Sequence, residues 1–346
     1  MIISFKYNKR HLERNEFDVF SRRLSRTLDK AVAEWTHKGL SDKQIEKRRE
    51  QITTRYKKAV IVNQLNYFSD NMYHISDELK KNVATFVSHN DQIWGECFVR
   101  SEVLYEMVCN TYELYRIYVD KRISEDDKKS KYYTYITFAS MLGRCCHIYL
   151  EILFLLKHGF ADGAFARWRS MFEIYCDARF ISKYGDDIAK QYIEKISVDK
   201  LENTKNMHDW TRGYEKKGNG IEKVLRSDNK IQEKCGIEQE WIDEYKKACM
   251  IVHDTPQGTF GRICADRDDI MPVGHSDKGL ELAGEHAAKI LFEMTKLFLE
   301  VYPSDDAEIY LKVMYNWTNW ICKSYERTRK MCFDRKKTIE KTKVEL

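Results

Sequence analysis

Apolar residues in this 346-residue chain recur at steps of three and four over most of its length, the period of amphipathic helices. The pattern is densest around 157–175. There Ala164, Trp168, Met171, Phe172 and Tyr175 form one apolar helical face behind the turn His158-Gly159. The preceding stretch, about 130–157, is rich in Tyr132, Tyr133, Tyr135, Phe138, Tyr149 and Phe154, and it also reads as a helix. So short a connection predicts an antiparallel hairpin of this helix with one over 161–183. Arg144, His147 and Glu151 interrupt the first partner's apolar face, and His147 is expected to be a satisfied core histidine.

The same periodicity predicts helices over 11–38, 42–67, 69–90 and 92–121, the last with Cys97, Leu104, Val108, Tyr112, Tyr115 and Val119 facing inward. His37-Lys38-Gly39 is a stop, Ser41-Asp42 a start, and Ser124 to Lys129 a polar connection. Further helices are expected over 186–215, 221–234, 238–252 and 277–301. A last one over 305–332 is capped by Ser304-Asp305-Asp306 and presents Tyr310, Val313, Met314, Trp317, Trp320 and Ile321. Lys216 to Gly220 reads as a loop, and Thr255 to Gly279 as a long Pro/Gly-containing one of the kind that carries function. No stretch alternates like a strand. The expected fold is all-α, a multi-helix bundle divided into a basic helical region over 1–125, a core over 126–303 and a C-terminal helix with basic tail over 304–346.

Composition agrees. Three prolines and fifteen glycines are few for a turn-rich β protein, and 43% hydrophobic with 33% charged residues is a globular balance. The net charge of +5 conceals a segregation: residues 1–60 carry eight Lys and eight Arg against three Asp and five Glu, and 322–346 carry nine basic against four acidic residues. Basic ends of this kind suit RNA or another nucleic acid, or an acidic protein partner, and they equally form solvated helix faces. Ten cysteines occur without a CxxC or CxxH pair, which disfavours zinc ribbons and disulfide frameworks. The first ten residues lack a long apolar run, and the run Ile148 to Leu156 is short for a bilayer. A cytoplasmic protein without membrane contact is the expectation.

For chemistry, GxxxxGK[ST], HExxH and GxSxG are all missing. Two pairs stand out instead. Arg169 and Glu173 lie one turn apart on the central helix, and His253-Asp254 sits where the 238–252 helix meets the Pro/Gly loop. A charged pair among large apolar residues is either a structural ion pair or part of a polar site, and a histidine at a helix C-terminus is also a natural cap.

The segment Gly159-Phe160-Ala161-Asp162-Gly163-Ala164, followed by Arg169, Glu173, Tyr245 and the helix end at His253, resembles the DUF5677 family over about residues 130–300. That family is mostly bacterial, all-α and without an assigned function. Its Arg-x-x-x-Glu pattern is present here, and its Tyr-x-x-x-Ser-x-x-x-His pattern occurs with Cys249 in place of the serine. The family's helical layout is in turn similar to HEPN domains, many of which are metal-independent ribonucleases of toxin or antiviral defence systems that meet as dimers. The resemblance implies His253 as acid/base, Lys246 or Lys247 as phosphate contact in place of the usual arginine, and Arg169, Glu173 and Asp254 as pocket residues. A homodimer is implied, and neither a cofactor nor a metal takes part. The alternatives are a non-catalytic helical protein that binds a partner through its basic ends, and a small-molecule or nucleotide sensor with the Pro/Gly loop as a lid.

Overall fold

The computed structural model describes residues 19–198, 235–252, 256 and 274–344. Among them are nine helices and no strand: α1 (Val19–His37), α2 (Asp42–Arg122), α3 (Glu125–Ser130), α4 (Tyr132–Lys157), α5 (Ala161–Tyr184), α6 (Asp186–Val198), α7 (Gln239–Val252), α8 (Leu280–Leu299) and α9 (Asp305–Val344). The fold is all-α. The expected helix over 221–234, the loop at Lys216 to Gly220 and most of the Thr255 to Gly279 loop fall outside the described residues. By compactness the chain divides into two units, Met1–Thr85 and Phe86–Leu346.

In the first unit, Gly39 at φ +76° ends α1, and its amide donates to Thr36 O. Helix α2 then starts on a one-sided cap in which Ser41 N and Ser41 Oγ both donate to Gln44 Oε1, at 3.0 and 3.1 Å. Leu28 and Ile45 are its buried apolar side chains.

Where three helices were expected over 42–121, one helix of 81 residues runs through. The chain has no proline before Pro256, and Gly95 is the single glycine in this span. One interior glycine costs about 0.5–1 kcal/mol, too little to break a helix that packs elsewhere. The polar residues that suggested breaks are exposed positions on a continuous helix.

In the second unit the core is the α4–α5 hairpin with α8 laid across it; α9 packs on α8, α6 mainly on α4, and α7 on α5. Trp168, Phe165, Phe172, Ile148, Tyr149 and Phe298 are fully buried in one cluster. The apolar part of α4 is longer than the run Ile148 to Leu156, since Phe138, Met141, Leu142 and Cys145 extend it upstream. By length and composition alone this helix could cross a membrane, and here those side chains line the core. Arg144, His147 and Glu151 lie on the other side of α4. His147 is exposed and pairs through Nε2 with Glu151 Oε1 at 3.0 Å, so it is no core histidine.

Helix α9 corrects the sequence reading in a similar way. Met314 and Ile321 are buried, but Tyr310, Val313 and Trp320 are exposed. The inward face is Met314, Thr318, Ile321, Tyr325 and Thr328, an alternation of four and three in which small polar residues take the place of expected aromatics. The two helices approach closely where Gly284 of α8 sits against the ring of Tyr325, leaving no room for a Cβ.

Gly284→Ala therefore gains about 0.5–1 kcal/mol of helix propensity and loses about 1–3 kcal/mol to overpacking. Gly143, exposed on α4 with nothing within 4 Å of an added Cβ, keeps the gain alone. Thermal melts should show Gly284→Ala lowered and Gly143→Ala slightly raised relative to the parent chain.

Candidate functional site

Helix α5 buries Trp168, Met171, Phe172 and Tyr175, which leaves Arg169 and Glu173 at the margin of the same face. Their side chains are 21% and 30% exposed. Arg169 Nε donates to Glu173 Oε1 at 3.0 Å, and Nη2 lies at ion-pair distance, 3.0 Å, from the same oxygen. The same oxygen accepts the Tyr245 hydroxyl at 2.9 Å, and the Arg169 guanidinium lies 5.4 Å from the centre of the Tyr245 ring. Burial works against the Arg169 charge, but the Tyr245 hydroxyl, Glu173 and Cys249 outweigh it and hold its pKa above the ordinary arginine value. The result is a guanidinium with one edge clamped, one face covered and part of its surface open to solvent. Such a group presents an anion with a preset orientation.

Helix α7 supplies Tyr245, and aromatic wedging fixes where α7 lies. The Trp241 ring stacks on Phe172 at 6.1 Å and 6°, and Tyr245 meets Phe172 at 5.3 Å. Tyr245 and Ala248 are the buried positions of α7, and Cys249 is half-buried beside them. Lys246 and Lys247 point elsewhere: both are exposed and pair with Asp243 and Glu244 of their own helix. His253 and Asp254 lie outside the described residues. Of the residues the sequence singled out, Arg169, Glu173 and Tyr245 therefore meet.

The sequence reading missed a second polar region, on α8. Glu281, Glu285, Lys289 and Glu293 repeat every fourth residue along a helix whose other sides are almost wholly apolar. Glu281, Glu285 and Lys289 line a cleft of about 610 Å³ with Cys322 and Arg329 of α9. Burial raises the pKa of all three glutamates, that of Glu285 to about 7; Lys289 and Arg329 pull it down, while Glu281 and Glu326 push it up. Next to this row His286 donates from Nδ1 to Leu282 O at 2.6 Å, and burial lowers its pKa. The signal for the row was available: four charged side chains at one helical step in an apolar helix. Among the described residues no group of His, Cys, Asp or Glu is arranged to hold a metal ion.

Residues 135–226 match the model of a family of unknown function, DUF5677. The match takes in nearly all of α4, the whole of α5 with Arg169 and Glu173, and α6, so this helical bundle carries a DUF5677 segment. Tyr245, Cys249 and His253 lie beyond the matched residues. Comparison with curated proteins and with solved structures returns no match.

Two measurements test this geometry. Tyr245→Phe removes a hydrogen bond to a half-buried carboxylate and should cost about 1–2 kcal/mol. In a double-mutant cycle with Glu173→Gln the two effects should be less than additive, and additive losses would show that the contact carries no energy. Glu285 has a folded pKa near 7 against an ordinary 4.5, so between those values the native state keeps a proton that the unfolded chain releases. Its contribution to stability is thus best at low pH and is lost as pH rises through about 7. Glu285→Gln should be more resistant to urea than the parent at pH 8, and the difference should vanish at pH 4.

Proposed function

We propose that the chain is a metal-independent RNA-cleaving effector of a bacterial defence or toxin system, HEPN-like in its helical layout, with Arg169 as the group that receives the phosphate. The observation carrying this reading is the guanidinium clamped by Glu173 and Tyr245 yet open on one side. Tyr245, Cys249 and His253 follow one another at four-residue steps in the sequence. In this reading His253 is the proton-transfer group of the pocket. The ribose 2′-oxygen attacks the adjacent phosphorus and gives up its proton to a base. The bond from phosphorus to the leaving 5′-oxygen breaks, that oxygen is protonated, and a cyclic phosphate is left. Nothing is oxidised or reduced, and a cation near the phosphate offsets the charge that builds up in the transition state. Glu173 and Tyr245 serve as positioning residues for Arg169. Lys246 and Lys247, engaged with their own helix, are peripheral, and Asp254 adjoins His253 as its candidate orienting group.

A homodimer forms part of this reading. Ile61, Leu65, Phe68, Met72 and Leu79 of α2 are at least half exposed. With Ile75 they follow alternating steps of four and three, the repeat with which one helix seats against another. The occupant we assign to that seam is the same seam of a second copy.

Purified full-length chain should cleave single-stranded RNA in the presence of EDTA. His253→Ala should reduce the rate by about 10²-fold or more, the usual contribution of general acid–base catalysis, with the melting temperature unchanged. Cleavage undiminished in His253→Ala, or none by the parent chain as a dimer, would sink the reading. Leu65→Glu with Met72→Glu should convert a dimer to a monomer by light scattering, and an unchanged mass would remove the seam from the proposal.

A further inference from the structure

Helix α1 has opposite chemistry on its two sides. Leu28 is buried, and Phe20, Leu24, Ala31, Val32 and Trp35 around it are half-buried. Arg22, Arg23, Arg26 and Lys30 stand on the other side, and all four are exposed. Arg22, Arg26 and Lys30 follow at four-residue steps, which sets successive cations about 6 Å apart along the helix axis. Asp29 and Glu34 border this row, yet among the described residues neither forms an ion pair with Arg23, Arg26 or Lys30.

Like charges one turn apart repel and weaken the helix that carries them. The start of α2 adds to the excess instead of neutralising it. Lys43, Lys47 and Lys58 are exposed on the side away from the buried Ile45, and Arg48 lies 5.8 Å from the centre of the Trp35 ring on α1. Residues 19–60 hold twelve Lys and Arg against five Asp and Glu, whereas the whole chain is only +5. Positive charge concentrated in this way produces a field that draws polyanions.

Three kinds of acidic partner compete for such a row. A helix that rests on an anionic membrane sinks a free apolar face among the headgroups, and on α1 that face is covered at Leu28 and Trp35. An acidic protein segment has no fixed interval between its carboxylates. A nucleic-acid strand carries one phosphate at every nucleotide, so evenly spaced cations meet its charges in turn. Three of the four cations are arginines, whose forked donors match phosphate oxygens. We infer that α1 binds the sugar–phosphate backbone of a nucleic-acid strand through Arg22, Arg23, Arg26 and Lys30. Contacts of this kind hold the strand and do not read its bases. The inference rests on charge and exposure in α1, not on Arg169, and holds whether or not the chain cleaves RNA.

Fluorescence anisotropy of a labelled single-stranded 2′-O-methyl RNA, titrated with the full-length chain over a series of salt concentrations, tests this. The methyl group blocks attack by the 2′-oxygen, so binding is read apart from cleavage. The parent chain should bind saturably, with log affinity falling linearly against log salt concentration. Arg26→Ala combined with Lys30→Ala should make that slope shallower by about 1.4, at roughly 0.7 per phosphate contact on a single strand. The same pair should weaken binding about tenfold or more at low salt. Alanine suits exposed helical positions, so circular dichroism should be unchanged, and Arg26→Lys, which keeps the charge, should keep the slope. No saturable binding, or a slope unaltered in the double variant, would overturn the assignment. So would phosphatidylserine vesicles or polyglutamate bound by the parent chain as tightly as the RNA.

Discussion

The last carbonyls of a helix must find donors outside the helix, and at the end of α4 that requirement organises the larger unit. Asn90 of α2 donates from Nδ2 to both Leu156 O and Lys157 O, at 3.0 and 2.9 Å. Ser276 N donates to Gly159 O, His275 to His158 O, and Trp94 of α2 to Asp277 O. One turn is thereby tied to α2 and to the segment that leads into α8. Gly159 is indispensable to it twice over: its φ is +74°, and an added Cβ would lie 2.7 Å from Ser276 O and overlap the ring of Phe86. The neighbouring Phe86 and His275 rings stack at 4.9 Å and close the turn off.

What that turn secures is the direction of α5. With the hairpin fixed, the buried stripe of α5 meets α4 on one side and α8 on the other, and the charged pair at its margin cannot rotate into solvent without exposing Trp168 and Phe172. A guanidinium left to itself at that depth would be costly. The Glu173 carboxylate and the Tyr245 hydroxyl remove most of the cost, and they hold the group more tightly than a solvated arginine is held. Stability and the candidate site therefore draw on the same contacts. This is why substitution in the pair cannot be read through activity alone, and why the contact energies and the chemistry need separate measurements.

Helical period and short connections made much of this architecture legible, because α4 pairs with α5 and α8 with α9 across short links, whereas the packing of α8 on α4 and α5 joins segments far apart in the chain. Legibility failed where the period was shared by two overlapping stripes. On α9 the large apolar side chains at 310, 313 and 320 outcompete the true inward set on hydrophobicity, yet α8 meets α9 through Gly284 at Tyr325, on the face that also buries Thr318. Continuity of α2 was illegible for a different reason: charged clusters resemble breaks in a one-dimensional pattern, while a helix accepts them wherever they face water. At the site, Arg169 with Glu173 could be read from their i, i+4 spacing. The contact with Tyr245, 72 residues later, depends on how α7 docks and could be anticipated only through family resemblance.

The docking of α7 also explains why two chemically opposite surfaces lie so near each other. Trp241 is wedged among Phe172, Trp168 and His286, with ring centres 5.8 to 6.3 Å away. That wedge fixes the helix about its own axis. Tyr245, one turn on, is then committed to Glu173 and Arg169, while Glu238, three residues back, and the adjacent Glu240 border a cavity on the other edge of the helix. Had α7 been held by a single aliphatic contact, rotation about its axis would exchange these faces at little cost. A flat indole between flat rings resists such rotation, since turning it sacrifices at once the stacking on Phe172 and Trp168 and the edge contact with His286. The separation of a cationic edge from an anionic one on a fourteen-residue helix is thus set by the packing of one side chain.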